Sequence, residues 1–208
     1  MSQKLIIFDM DGTLVNSSLT IANAINYVRQ HLGFEPMTQE YILKRVNDHT
    51  LNPAQTFYHT RQFEPHHEEW FTEYYTKNHE QELVLYDGIK ELLESLKNKE
   101  CTLAVATNAY RGSTIESLSH LDIYGHFDTI ACYDDVAKGK PHPDMLHKIL
   151  DELEIDANEA LFIGDGPRDE MASKKAEIEY IMVDWGFTEH SDAVGFVGDL
   201  HSILDQRL

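Results

Sequence analysis

Five short apolar runs punctuate an otherwise mixed chain: Leu5–Phe8, Thr102–Ala106, Thr129–Cys132, Ala160–Ile163 and Tyr180–Val183. Each is near-continuously apolar rather than alternating, which is the pattern of strands covered on both faces, as in a parallel sheet. Helical periodicity separates the later runs. Asp87 is placed to cap a helix that carries Ile89, Leu92, Leu93 and Leu96 on one face, at the i, i+3, i+4, i+7 spacing of an amphipathic helix. A second helix starts near Pro143 and carries Leu146, Ile149, Leu150 and Leu153, and a third follows Pro167; proline suits a first helical turn. The alternation from Tyr86 onward predicts an α/β fold built on a doubly wound, mostly parallel sheet with a Rossmann-like core.

The stretch from Val15 to about Tyr86 reads differently, with no strand pattern in it. Ile21, Ile25, Val28 and Leu32 mark one amphipathic helix. Thr38 is placed to cap a second, with Ile42, Leu43 and Val46, and Asn52-Pro53 and Glu64-Pro65 look like two further starts. Trp70, Phe71, Tyr74 and Tyr75 form an aromatic patch at helical spacing, read as packing. The expected organisation is therefore an α/β core of residues 1–14 and 87–208, interrupted after its first strand by an all-helical cap of residues 15–86.

Composition narrows the partners. The 208 residues include 17 Lys+Arg against 36 Asp+Glu, a formal net charge of −19. That balance excludes a basic nucleic-acid footprint and disfavours an anionic membrane surface. Disorder is not implied, because 42% of the residues are apolar and 10% aromatic. Two cysteines, Cys101 and Cys132, sit in short apolar runs and read as buried free thiols, as in a reducing cytosol. The N-terminus enters LIIFDMDG directly and no apolar run approaches the ~18 residues of a membrane span. A cytoplasmic protein is expected, with a monomer as the default.

Candidate chemistry lies where the strands end, the place at which open α/β sheets bind ligands. The first strand runs into Asp9-Met10-Asp11-Gly12-Thr13 and the second into Thr107-Asn108. The loop after the third leads to Lys138-Gly139-Lys140-Pro141, and the fourth ends in Gly164-Asp165-Gly166-Pro167-Arg168-Asp169. Asp9 and Asp11, two apart, would share a face of a continuing strand, with Gly12 allowing a sharp turn beyond them. Carboxylates gathered this closely repel one another unless a cation joins them, and all-oxygen ligation with few protein ligands suits Mg²⁺. Such a site, with Lys140 and Thr107 beside it, can hold a phosphoryl group.

These residues resemble the four motifs of the haloacid dehalogenase-like hydrolases. Asp9 through Thr13 looks like the first motif, Thr107 the second, Lys140 within Gly-Lys-Pro-His-Pro the third, and Asp165 with Asp169 the fourth. The helical insert lies where one subclass of that superfamily places its cap. Val183-Asp184-Trp185-Gly186-Phe187 is similar to phosphoglycolate phosphatase-like members. The resemblance implies that Asp9 is a nucleophile forming an aspartyl-phosphate, and Asp11 a general acid and then general base. It implies that Mg²⁺ is held by Asp9, Asp165 and the backbone carbonyl of Asp11, supported by Asp169. Thr107 would bind phosphoryl oxygens with the backbone N–H of Asn108, and Lys140 would pair with Asp9 and the transferring group.

The chain also departs from that pattern. Val15-Asn16-Ser17 stands where many relatives read Val-Asp-Ser. Arg45-Val46-Asn47-Asp48-His49 stands where their substrate-facing cap loop contains Gly. Phosphoglycolate therefore does not carry over by motif alone. Arg45 or His49 would meet a second polar group of a substrate, or else form a solvated helix end. Lys138 and Arg168 read as surface charges beside the site, and His66, His67 and His79 as exposed histidines. The expected activity is Mg²⁺-dependent hydrolysis of a small phosphorylated metabolite, with the cap closing over the site on hinges at Val15–Ser18 and about Glu82–Asp87. A phosphoglucomutase-like phosphotransferase would share Asp9 and Asp11 but return the phosphoryl group to a sugar. A phosphonatase would need a cap lysine, for which Lys44 is the candidate. A receiver-like phospho-accepting module would lack the insert and place its Asp after a later strand.

Overall fold

The apolar runs do form strands. The computed structural model describes residues 5–46, 48, 50–186 and 192–208. In chain order it runs β1 (Leu5–Phe8), β2 (Val15–Asn16), α1 (Ser18–His31), α2 (Gln39–Val46), α3 (Pro53–Tyr58), α4 (Pro65–Glu82) and β3 (Val84–Leu85). It continues α5 (Ile89–Asn98), β4 (Thr102–Ala106), α6 (Arg111–His120), β5 (Thr129–Ala131), α7 (Asp144–Leu153), β6 (Ala160–Gly164), α8 (Pro167–Ala176), β7 (Glu179–Met182) and α9 (Val197–Asp205). Two compact units result: Met1–Asn16 with Val84–Leu208, and Ser17–Leu83.

In the first unit five strands form one sheet in the order β5-β4-β1-β6-β7. Every neighbouring pair is parallel. The sequence reading of a doubly wound α/β core is therefore the observed fold. The chain leaves central β1 for β4 and β5 on one side, then crosses to β6 and β7 on the other, so the strand order reverses at β1. That reversal opens a crevice at the carboxyl end of β1. Leu5, Ile6, Ile7 and Phe8 are fully buried, the consequence of helices covering both faces. Ile7, Ala104 and Phe162 of the sheet pack with Met145, Leu146 and Ile149 of α7 and Ala172 of α8.

Two details differ from the sequence reading. Residues 15–86 are not free of strand: β2 and β3 pair antiparallel, Val15 opposite Leu85 and Asn16 opposite Val84. Two-residue strands are too short to show a period. The N-cap of α5 is Gly88 rather than Asp87, with φ of 87°. A left-handed residue is needed there, and glycine takes that conformation without the cost a Cβ would bring.

The second unit is all helical. Its core gathers Ala22, Ile25 and Val28 of α1 with Ile42 of α2 and Phe57 and Tyr58 of α3. Thr38 accepts from the Tyr41 N–H and Asn52 from the Gln55 N–H, so both act as the N-caps their types predict. The aromatic patch packs within the unit: Trp70 stacks on His31 and Tyr74 lies against Tyr27. Arg29 is buried among these apolar groups, and its guanidinium donates to the Glu35 and Phe57 carbonyls.

Candidate active site

The crevice at the end of β1 is built by backbone first. The ladder continues one residue past the strand, where the Asp9 N–H donates to the Ile163 carbonyl at 2.8 Å. The chain then turns: the Leu14 and Val15 N–H groups both donate to the Met10 carbonyl at 2.9 Å, and Gly12 adopts φ of +82°. Asp9 is buried and Asp11 half-buried. Their neighbourhood thus comes from a tight turn and not from strand alternation, because β1 stops at Phe8. Gly12 has a second reason to be glycine: a Cβ there would stand 2.0 Å from Asp165 Oδ2. The loop after β6 lies directly against the loop after β1.

Lys140 is the charge at the centre. Its Nζ lies 2.6 Å from Asp9 Oδ1 and 2.6 Å from Asp169 Oδ1, with all three side chains buried. Asn108 fixes this lysine from the main chain. The Lys140 N–H donates to Asn108 Oδ1 at 2.8 Å, and Asn108 Nδ2 donates to the Lys140 carbonyl at 3.0 Å. Gly139 leaves room for that clamp, since a Cβ would come within 2.6 Å of Asn108 Oδ1. Asp169 is positioned at the start of α8, where its Oδ2 accepts from the Gly166 N–H at 3.3 Å. Thr107 is buried just past β4, its N–H on the Ala131 carbonyl and its Oγ1 accepting from the Ala109 N–H.

One carboxylate oxygen each from Asp9, Asp165 and Asp169 lies within 4.8 Å of the others. Asp11 contributes to their field without joining that group. Burial pushes the Asp9 carboxyl up to about 7, with Asp169 and Asp11 adding repulsion and Lys140 opposing them. Asp165 is raised well above the usual carboxylate range, first by burial and then by Asp9 and Asp169. Burial works against the Lys140 charge, but Asp169 and Asp9 outweigh it and hold the ammonium protonated. An oxygen-only donor set carrying surplus negative charge fits a small divalent cation such as Mg²⁺, whose charge offsets that repulsion.

Arg45 folds back on its own helix, its guanidinium 3.5 Å from the Tyr41 ring centroid. His49 and Phe187 fall outside the described residues. Lys138 is exposed and Arg168 half-buried. His67 and His79 correct the expectation of exposure, for both are buried. His67 Nδ1 accepts from the Glu64 N–H and its ring lies 4.8 Å from Tyr58, so it packs as a core residue. Glu64 and His66 lie close to it, but α4 begins there, and the positive end of a helix disfavours a cation. Sequence reasoning missed Tyr180, whose hydroxyl donates to the Gly164 carbonyl at 2.9 Å. Its one signal was a polar-tipped ring opening an apolar run.

A parallel sheet with acids at the end of its central strand defines a class, and comparison with known proteins gives the family. The haloacid dehalogenase-like hydrolase family matches residues 6–183. The chain belongs to that family and is a hydrolase. It is 29% identical to the phosphoglycolate phosphatase of Aquifex aeolicus over 99% of this chain and 98% of that one. It is 31% identical to the phosphoglycolate phosphatase of Yersinia pseudotuberculosis, over 90% of this chain and 86% of the other. Among solved structures, a haloacid dehalogenase-like family hydrolase from Streptococcus pneumoniae superposes with a TM-score of 0.76 at 27% identity, covering 91% of this chain and 88% of that one. Among the described residues no helix is long and apolar enough to cross a membrane.

Proposed function

We propose that this hydrolase is a Mg²⁺-dependent phosphatase that cleaves a small phosphomonoester through a phosphoryl group carried transiently on Asp9. The observation that carries the reading is the buried ammonium of Lys140 held between Asp9 and Asp169, 2.6 Å from each, with Asp165 alongside. A carboxylate attacks a dianionic phosphate poorly because like charges repel. A fixed cation beside the nucleophile reduces that repulsion and stabilises charge on the equatorial oxygens.

In the first half-reaction an Asp9 oxygen bonds to phosphorus, the bond to the leaving oxygen breaks, and Asp11 supplies the proton that the alcohol needs. In the second, Asp11 takes a proton from water, the water attacks phosphorus, and inorganic phosphate leaves with Asp9 restored. Thr107, just past the end of the strand beside β1, would donate to phosphoryl oxygens along with the Asn108 N–H. Asp9, Asp165 and the Asp11 carbonyl are the groups that would hold Mg²⁺, with Asp169 supporting them through Lys140. When bound, the metal supplies positive charge against the phosphoryl oxygens. The phosphoglycolate phosphatases among the relatives support a small phosphorylated carboxylic acid as a substrate to test first.

The test is inorganic phosphate release from a panel of phosphorylated metabolites and from a generic aryl phosphate. Asp9→Asn is expected to cut turnover by at least about 10³-fold, and excess chelator to stop it until Mg²⁺ is restored. Wild-type turnover by the variant would remove Asp9 as nucleophile. Full activity in chelator would remove the metal. Formation of an isomer without phosphate release would replace hydrolysis by phosphoryl transfer.

A further inference from the structure

Tyr180 lies on β7, the strand at the edge of the sheet, in register with Phe162 of β6. Its ring packs 5.8 Å from that of Phe162. From there the side chain reaches two residues further along β6, where the hydroxyl faces the Gly164 carbonyl at 2.9 Å and the Gly166 carbonyl at 3.3 Å. Those are the residues on either side of Asp165. One proton directed at both carbonyls therefore ties the two ends of the Asp165 peptide segment to the sheet.

Neither carbonyl needs this hydroxyl in order to be satisfied. Gly164 O already accepts from the Val183 N–H at 2.9 Å, and Gly166 O from the Asp169 N–H at 3.1 Å. The hydroxyl is thus an additional bond, and its consequence is where it holds the segment. The tolerance there is small: the Asp165 carboxylate lies so close to Gly12 that a Cβ would stand 2.0 Å from it. On the other side, a Cβ on Gly164 would stand 2.7 Å from the Asp169 carboxylate. A small drift of the 164–166 segment would move Asp165 away from Asp9. The hydroxyl also remains a donor, because burial, and then the negative charges of Asp169, Asp165 and Asp9, hold its proton.

We propose that Tyr180 is a positioning residue for the acidic site, bracing the Gly164-Asp165-Gly166 segment so that Asp165 and Asp9 present their carboxylates to one divalent cation. The inference rests on the metal-assisted reading of the site given above. It assigns to Tyr180 no contact with substrate. Partners that orient ligands in this way typically change metal affinity by about 10–100-fold when removed.

The test is direct binding of Mn²⁺, as a spectroscopic substitute for Mg²⁺, followed by electron paramagnetic resonance on the whole protein and on Tyr180→Phe. The variant is expected to bind Mn²⁺ about tenfold more weakly. Its thermal midpoint in chelator should stay close to that of the wild type, because both carbonyls keep their backbone donors. In turnover assays the Mg²⁺ concentration for half activation should rise by a similar factor, while kcat at saturating Mg²⁺ and KM for substrate hold. Should Tyr180→Phe fail to fold, Tyr180→Met removes the hydroxyl from a more adaptable side chain and is read in the same way. An Mn²⁺ dissociation constant equal to that of the wild type overturns the brace while leaving the site reading intact. A loss of kcat that saturating Mg²⁺ does not restore also overturns it. Failure of the wild-type protein to bind Mn²⁺ overturns the site reading and the brace together.

Discussion

At the scale of single residues, the acid corner has a cost that the free protein bears. Asp9 is raised from 3.8 to about 7 by burial and by neighbouring negative charge. A group whose folded pKa is raised contributes stability below its ordinary value, and that contribution is lost as pH rises through the folded one. In chelator, Asp9→Asn should therefore melt several degrees above the wild type at pH 8, and the two should converge toward pH 4. Mg²⁺ should narrow or reverse the gap at pH 8, since it binds the carboxylate and not the amide. Calorimetry at the two pH values, with and without the metal, measures this. A lower midpoint for the variant in chelator at pH 8 would mean that the Lys140 pairing outweighs the repulsion. Asn108 makes a separate prediction. Its two bonds to the main chain of Lys140 mean that Asn108→Ala should lower kcat/KM by about 10- to 100-fold through misplacement of the ammonium. Retention of full kcat/KM would show that Pro141 and its neighbours hold Lys140 unaided.

At the scale of elements, legibility followed from what each element buries. The sheet strands could be read because both faces are covered, which leaves continuous apolar runs at Leu5–Phe8 and Ala160–Gly164. The four acids could be read because each follows such a run. The family resemblance implied that Lys140 pairs with Asp9, but its second pairing, with Asp169, could not be read, nor could the Asn108 clamp and the reach of Tyr180. These depend on register between strands distant in sequence. His67 and His79 of α4 were misread because their polar type outweighed their position. His67 is 2% exposed and its Nε2 has no hydrogen-bond partner among the described residues. Burial, and then the neighbouring His66, hold its pKa below the usual 6.5. A histidine depressed in this way stabilises the fold above its ordinary pKa, and that stability is lost as pH falls. Lowering pH from 7.5 to 5.5 should therefore cost the wild type more of its denaturation midpoint than it costs His67→Phe, in which the Tyr58 contact is kept. Parallel pH dependences would show that Glu64 neutralises the imidazolium as it forms.

At the scale of the whole molecule, the net charge of −19 and the proposed anionic substrate act against each other. Most of the 36 acidic residues do not belong to the site, so an approaching phosphate ester meets a negative surface before it meets Lys140. The two fields differ in range. Repulsion from a distributed surface charge acts over the Debye length, which shrinks from about 30 Å at 0.01 M salt to about 8 Å at 0.15 M. The attraction of a buried ammonium is felt at contact distance, where screening ions do not enter. Raising the ionic strength at fixed saturating Mg²⁺ should then remove more repulsion than attraction. The value of kcat/KM for a dianionic phosphomonoester should rise by about two- to threefold between those salt concentrations, through KM and not kcat. Sodium chloride titrations of initial rate measure it, with wild-type thermal midpoints as a control for salt effects on folding. A fall in kcat/KM would mean that a positive local field around the crevice extends beyond its mouth and steers the substrate inward against the charge of the molecule as a whole.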